Sequence, residues 1–227
     1  MWAVLKKEFK SYFLSPVGYI VTGIFLFCFS VFFLLTVLES RTIDLGGLYY
    51  WTAFYGLIVI VPILTMRTFS EERKSGTEQL LLTSPTGIFR IVMGKFLAAL
   101  SVIGITLILS LMFFIILSFF GKPNFGVTLV QILGFILLSM AEISIGMFAS
   151  SLTENQIVAG VMTIAFLVLS LFTSGISKAL SGLTLIDYYL KFAQGIISIE
   201  NMISLLLFTF VGLSLTIIVM QRRKLVK

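Results

Sequence analysis

The sequence contains no histidine and only one cysteine, Cys28. The first absence removes the commonest metal ligand and the commonest proton shuttle. The second excludes a disulfide or a thiolate metal cluster within one chain. Cys28 lies inside an apolar run and reads as a small lipid-facing or packing residue. Charge is also scarce, at 11% of 227 residues, against 59% hydrophobic. A soluble domain of this size needs a charged surface, so lipid must be the solvent for most of the chain. A Walker A phosphate loop is missing as well. Gly94-Lys95 is followed by Phe96, and Phe89 stands where that motif needs its first glycine. The loops are too small for a nucleotide-binding domain, so any ATP energy has to arrive from a separate chain. A secretory signal peptide is not expected, because the first apolar run follows a basic segment, continues for about twenty residues and lacks a small-residue cleavage site.

What charge there is sums to +6. The bases sit in short runs beside apolar stretches, which suits an anionic membrane surface better than nucleic acid. A helix needs roughly twenty apolar residues to cross the hydrocarbon, where every backbone amide must be satisfied internally. Six runs meet that requirement: 17–38, 48–66, 91–120, 127–150, 156–176 and 202–220. With both termini inside, the inner segments hold Lys6, Lys7, Lys10, Arg67, Arg73, Lys74, Arg90, Lys95, Arg222, Arg223, Lys224 and Lys227. The outer segments hold only Arg41, Lys122, Lys178 and Lys191. Basic residues favour the cytoplasmic side, so this orientation is the expected one. The expected fold is an all-α membrane protein of six transmembrane helices, a single transmembrane domain over 1–227.

Four segments outside the runs carry more information. In 1–15, Trp2, Leu5, Phe9, Tyr12 and Phe13 recur at near-helical spacing, with Lys6, Lys7 and Lys10 opposite. This predicts an amphipathic helix in the inner interface, ended by Ser15-Pro16. A plain anchor and a special role fit it equally well. The inner loop within 67–95 begins with Thr68 and Glu71 at capping-box spacing; Gly76 interrupts it, and Thr77 can cap a second short helix over 78–83, stopped by Ser84-Pro85. That helix holds Leu80, Leu81 and Leu82, rimmed by Glu71, Glu72, Arg73, Lys74 and Glu78. Three leucines among charges predict a docking knob for a soluble partner, with packing on the chain's own spans as the plainer alternative. The inner turn 150–156 places Thr153 and Gln156 at capping-box spacing, with Glu154 at a helix start. The outer segment 177–200 is too polar to cross, yet rich in Leu, Ile and aromatic residues, Tyr188, Tyr189 and Phe192 among them. Two short re-entrant helices are expected there, as a lid over a translocation path or as an ordinary interfacial loop.

Within the spans, Glu142 is the one deep acid. An intramembrane carboxylate costs several kcal/mol unless it is paired, protonated or wetted, roughly in line with insertion scales. It marks either a wet cavity or a neutral carboxyl in helix packing. Pro62 predicts a bend or hinge in the second run. Small residues (Ala98, Ala99, Gly104, Gly160, Ala165) allow helices to approach closely.

Together these residues resemble a known family. Residues 62–85, PILTMRTFSEERKSGTEQLLLTSP, followed by Gly94-Lys95-Phe96, are similar to the ABC-2 type permeases, in the branch of the gliding-motility permease and the nitrous-oxide-reductase maturation permease. SSLTENQIVA at 150–159 and FAQGIIS at 192–198 fit the same branch. The resemblance implies a permease that pairs with a second copy or a similar permease, in a prokaryotic plasma membrane. Each half would bind an ABC ATP-binding subunit, which holds the ATP and Mg, so that this chain carries no cofactor and no catalytic residues. A coupling helix at about 75–84 is implied. The ATPase-subunit contact would then comprise Glu71, Glu72, Arg73, Gly76, Glu78, Leu80, Leu81, Leu82, Thr153 and Glu154. Glu142, Tyr188, Tyr189 and Phe192 are candidates for the translocation path, and the apolar spans suit export of an amphiphilic cargo, peptidic or lipid-like. The competing expectation is an ATP-independent channel or ion-coupled carrier, supported by Glu142 but lacking intramembrane charge pairs and evident repeated halves. A membrane-embedded enzyme fits least.

Overall fold

The computed structural model describes residues 1–39, 43–79, 87–176 and 184–226, and all regular structure in them is helical. Helix α1 (Trp2–Leu14) ends at Ser15, whose extended backbone precedes Pro16, and α2 (Val17–Phe32) then continues through a π-helical turn, Phe33–Leu38. The second run is broken in the same way: α3 (Gly46–Trp51), a π-turn (Thr52–Gly56) and α4 (Leu57–Thr65) follow one another without interruption. Pro62 lies inside α4, which runs through it, with Met66 N still donating to Pro62 O at 2.8 Å. The irregularity in this span is therefore the π-turn, where an extra residue is accommodated in the helical ladder. Then come α5 (Ser70–Lys74), α6 (Ile88–Ser118), α7 (Phe125–Leu152), α8 (Gln156–Ile176), α9 (Leu185–Ala193) and α10 (Ile199–Val226).

Among the described residues, five stretches are long and apolar enough to cross a membrane: Val17–Leu38, Gly46–Lys74, Ile88–Ser118, Phe125–Leu152 and Ile199–Lys224. The run expected as the fifth span folds as the helix α8, with a shorter apolar stretch, Gln156–Leu171. The chain is thus a membrane-embedded, all-helical protein among its described residues.

The most enclosed span is α7, with 61% of its apolar window buried, whereas the windows of the first and last spans are 28% buried. Small residues make that central position workable, because they let neighbouring backbones come close. A Cβ on Gly134 would collide with the Phe192 side chain of α9, and one on Gly146 would collide with Thr65 of α4. Ser144, between them, meets Gly212 of α10. Toward the α9 end the interior is aromatic: Phe29 lies 5.1 Å from Tyr49 and 5.0 Å from Phe113, and Phe135 meets Tyr189 at 6.1 Å. Such tilted and edge-on ring pairs are the favoured geometries.

Two capping expectations need correction. The helix expected to begin at Thr68 begins at Ser70, and the cap comes from another span: Ser150 Oγ of α7 accepts from Phe69 N (3.1 Å) and Ser70 N (3.3 Å). A tertiary partner has displaced the local capping box, and the Thr68 side chain is buried instead. Helix α8 is capped not by Thr153 but by Asn155, whose Oδ1 accepts from Ile157 N at 2.9 Å, while Thr153 Oγ1 accepts from Asn155 N at 3.2 Å. Of the two short helices expected in 177–200, one is described, α9; residues 177–183 lie outside the described residues.

Candidate functional site

The ion-paired side chains of the described residues gather at the end of the bundle that carries α5. Helix α5 stops at Ser75, and Gly76 takes φ +74°, a left-handed conformation that glycine adopts without steric cost. The turn releases the chain toward Glu78 and Gln79. Residues 80–86 follow, so Leu80, Leu81 and Leu82 lie outside the described residues.

Three ion-pair systems fix this end. Arg73 Nε meets Glu154 at 2.7 Å, and Arg73 Nη1 donates to Leu152 O at 3.3 Å, so α5 is bridged to the turn after α7. Arg223, near the end of α10, meets Glu78 at 3.1 Å and also donates to Ser151 O. Glu78 is only 5% exposed, so this second bridge closes around a largely desolvated carboxylate. A cleft of about 360 Å³ lies between the bridges, lined by Arg73, Gly76, Glu78, Glu154, Arg222 and Arg223.

The third system is deeper. Lys95, counted from the sequence among the inner-segment bases, is 2% exposed. Its ammonium meets Glu72 at 2.8 Å and Glu8 at 3.3 Å, donates to Thr68 O at 2.7 Å, and lies 5.3 Å from the Phe69 ring centroid. Burying an ammonium costs several kcal/mol, roughly, unless carboxylates and hydrogen bonds replace its water. Here α1, through Glu8, and the α4–α5 elbow (residues 66–74), through Thr68, Phe69 and Glu72, supply that replacement to an ammonium carried by α6. Gly94, the preceding residue, allows α1 to pack closely, since a Cβ there would lie 3.0 Å from Val4. Tyr12 of α1 also donates to Leu64 O (3.0 Å), satisfying a carbonyl at the end of α4. Burial pushes the Tyr12 phenol well above the ordinary tyrosine value, which keeps it a donor.

Of the residues expected at a partner contact, Arg73, Gly76, Glu78 and Glu154 line one cleft, and Thr153 adjoins Glu154 in the turn after α7, whereas Glu71 faces a separate cleft beside α1. Glu71 is exposed and pairs with Arg67 at 3.4 Å. Glu72 belongs to the expected set by position, but its carboxylate points inward to Lys95. Sequence reasoning missed Glu8, Ser150, Lys95 and Arg223 as members of this cluster. The signal available for Glu8 was its lone negative charge among Lys6, Lys7 and Lys10.

Of the four residues proposed for a path, Tyr189 and Phe192 come together, while Tyr188 and Glu142 lie apart from them. Tyr189 and Phe192 are fully buried and wedge α9 onto α7 at Gly134. Tyr188 is half-buried beside Phe208, at 6.3 Å between ring centroids. Glu142 is eight residues past Gly134, about 12 Å along the helix axis. It is 7% exposed, and its Oε2 is buried without a hydrogen-bond partner among the described residues. At the α9 end the fastenings are neutral or singly charged. Gln131 Nε2 donates to Ala193 O (3.1 Å) and to Asp44 Oδ1 (3.3 Å), and Asp44 Oδ1 accepts from Gly46 N (3.0 Å).

A multi-span helical bundle with a charged, loop-built face at one end has the build of a membrane transport component. The comparison with protein families makes this definite. Residues 38–210 match the family described as ABC-2 family transporter protein, and the chain belongs to that family. It is therefore a transmembrane permease of the ABC transporter class, a class that works with ABC ATP-binding partners. No curated protein matches the chain.

Proposed function

We propose that this chain is the membrane-spanning subunit of an ABC exporter of the branch that includes the gliding-motility and nitrous-oxide-reductase maturation permeases. A separate subunit hydrolyses ATP, and its closure pulls on residues 67–90 of this chain. The observation that carries the reading is the pair of bridges Arg73–Glu154 and Glu78–Arg223. They join the loop after α4, the turn after α7 and the end of α10, so a force applied to the loop reaches three spans at once.

Six spans with both termini inside complete the reading. It is supported by the position of α1 and Arg223 at the α5 end, which requires an even number of crossings. The turn at Glu154 also lies at the α5 end, while α9 packs near the start of α7, so α8 connects the two ends. The 75–84 segment is the coupling helix, with Leu80, Leu81 and Leu82 as its apolar knob. The chain pairs with a second copy or a similar permease, ATP and Mg reside in the partner, and the cargo is amphiphilic. In this single chain Tyr189 and Phe192 act as a closed wedge, which supports a lid more than an open path.

The buried Glu142, with one carboxylate oxygen lacking a hydrogen-bond partner among the described residues, favours the second reading, an ATP-independent small channel or ion-coupled carrier. Two experiments separate them. Copurification with an ABC ATP-binding subunit, together with ATP-dependent transport, supports the exporter. Ion flux through the isolated chain in ATP-free liposomes, abolished by Glu142→Gln, supports the carrier.

A further inference from the structure

Helix α1 buries none of its residues fully, which is what a simple interfacial anchor would show. Yet it sends two polar side chains into the bundle. Glu8 reaches Lys95, and Tyr12 reaches the last turn of α4. Lys95 in turn holds Glu72, whose second oxygen, Oε2, is buried without a hydrogen-bond partner among the described residues. One ammonium therefore meets carboxylates from two elements distant in sequence, and does so from a third. The two partners are unequal. The Glu72 contact is short, whereas the Glu8 contact is longer and Glu8 is shared with the exposed Lys7 at 3.7 Å.

We infer that Lys95 is a positioning residue that binds the interfacial helix to the coupling-loop elbow, so that the two move as one body when the partner subunit pulls. This rests on the coupling reading above, and it gives α1 a mechanical role beyond anchoring. A buried charge pair suits that role, because separating the ions without water strands a charge in a poorly solvating place. A slip of α1 against the elbow is therefore strongly resisted, while motion of the joined unit is not. Pulling the loop then moves α1 within the interface and swings the start of α2 through the Ser15-Pro16 joint.

The test places spin labels at two exposed positions, Lys10→Cys on α1 and Lys74→Cys on the elbow, in a Cys28→Ser background. The complex with its ATPase subunit is measured in nanodiscs, both nucleotide-free and trapped with ATP and vanadate. The expected result is one narrow distance, the same in both states. Lys95→Met should broaden and shift the distribution and uncouple ATP turnover from the permease without loss of copurification, whereas Lys95→Arg should restore the narrow distance. Glu8→Gln, which leaves the Glu72–Lys95 pair intact, should broaden it less and serves if the methionine variant does not fold. A narrow distance that survives both Lys95→Met and Glu8→Gln, or a distance in the unsubstituted chain that changes between states, overturns the inference. Failure of the unsubstituted chain to copurify with any ATPase would instead defeat the coupling reading. The label pair measured in the permease alone still decides the joint.

Discussion

The two ends of this bundle are fastened by different physics. At the α5 end, α1, the elbow, α6, the turn after α7 and the end of α10 are tied by ion pairs, several of them poorly exposed. At the α9 end, the ties are aromatic wedges and amide hydrogen bonds, Phe192 and Tyr189 on Gly134 and Gln131 on Ala193 O. Apolar packing gains little by preferring protein over lipid, since lipid tails are as apolar as leucine. It fixes shape through close fit. Ion pairs in a low-dielectric setting resist separation more steeply, yet they can exchange partners when a new charge arrives. On the function proposed above, one end holds a closed surface and the other receives a partner and passes its force inward.

That contrast can be broken most severely at Glu72. Glu72→Ala leaves the buried Lys95 ammonium with only the longer contact to Glu8 and the Thr68 carbonyl, and should cost about 3–5 kcal/mol, read as a fall in the thermal unfolding midpoint in detergent. Phe192→Ala attacks the other end and should cost about 3 kcal/mol by the same measurement. Its distinguishing mark is a new opening near Gly134, seen as labelling of a cysteine placed at Leu138 by a small thiol reagent. Unchanged labelling would mean that the aromatic wedge is not what closes that end. Gln131→Leu removes the donor to Ala193 O and should cost about 1–3 kcal/mol. Arg73→Gln sharpens the comparison from the opposite side. Its pair with the exposed Glu154 should contribute less than about 1 kcal/mol to stability, while the affinity for the ATPase subunit falls. Equal losses of stability for Glu72→Ala and Arg73→Gln would remove the distinction between buried and exposed bridges.

Much of this architecture was legible from periodicity. The helix 2–14, its end at Ser15-Pro16, the break at Gly76 and the apolar runs all follow from short-range patterns, and the helices observed differ from the expected runs mainly by extending beyond them, as α7 and α10 do. Local rules failed where a distant residue took over their task. Thr68 lost the cap of α5 to Ser150 in this way, whereas Thr153 lost that of α8 to a near neighbour, Asn155, which stands directly before the helix. The π-turns in the first two spans have no short signature in the sequence. Lys95 looked like an ordinary inner-loop base, because a single sequence records its charge but not the two carboxylates, from 87 positions earlier and from the elbow, that let it be buried. The same limit hid Arg223, which read only as one of a basic terminal run and proves to close on Glu78 across 145 positions.

The central claim is that force enters from another polypeptide at the α5 end. Its most direct test is a titration of the ATP-binding subunit against the permease in nanodiscs, with Leu80→Asp, Leu81→Asp and Leu82→Asp introduced together. The account predicts that binding and ATP-driven transport are lost while the thermal midpoint is kept. Undiminished binding and transport in that variant would contradict it.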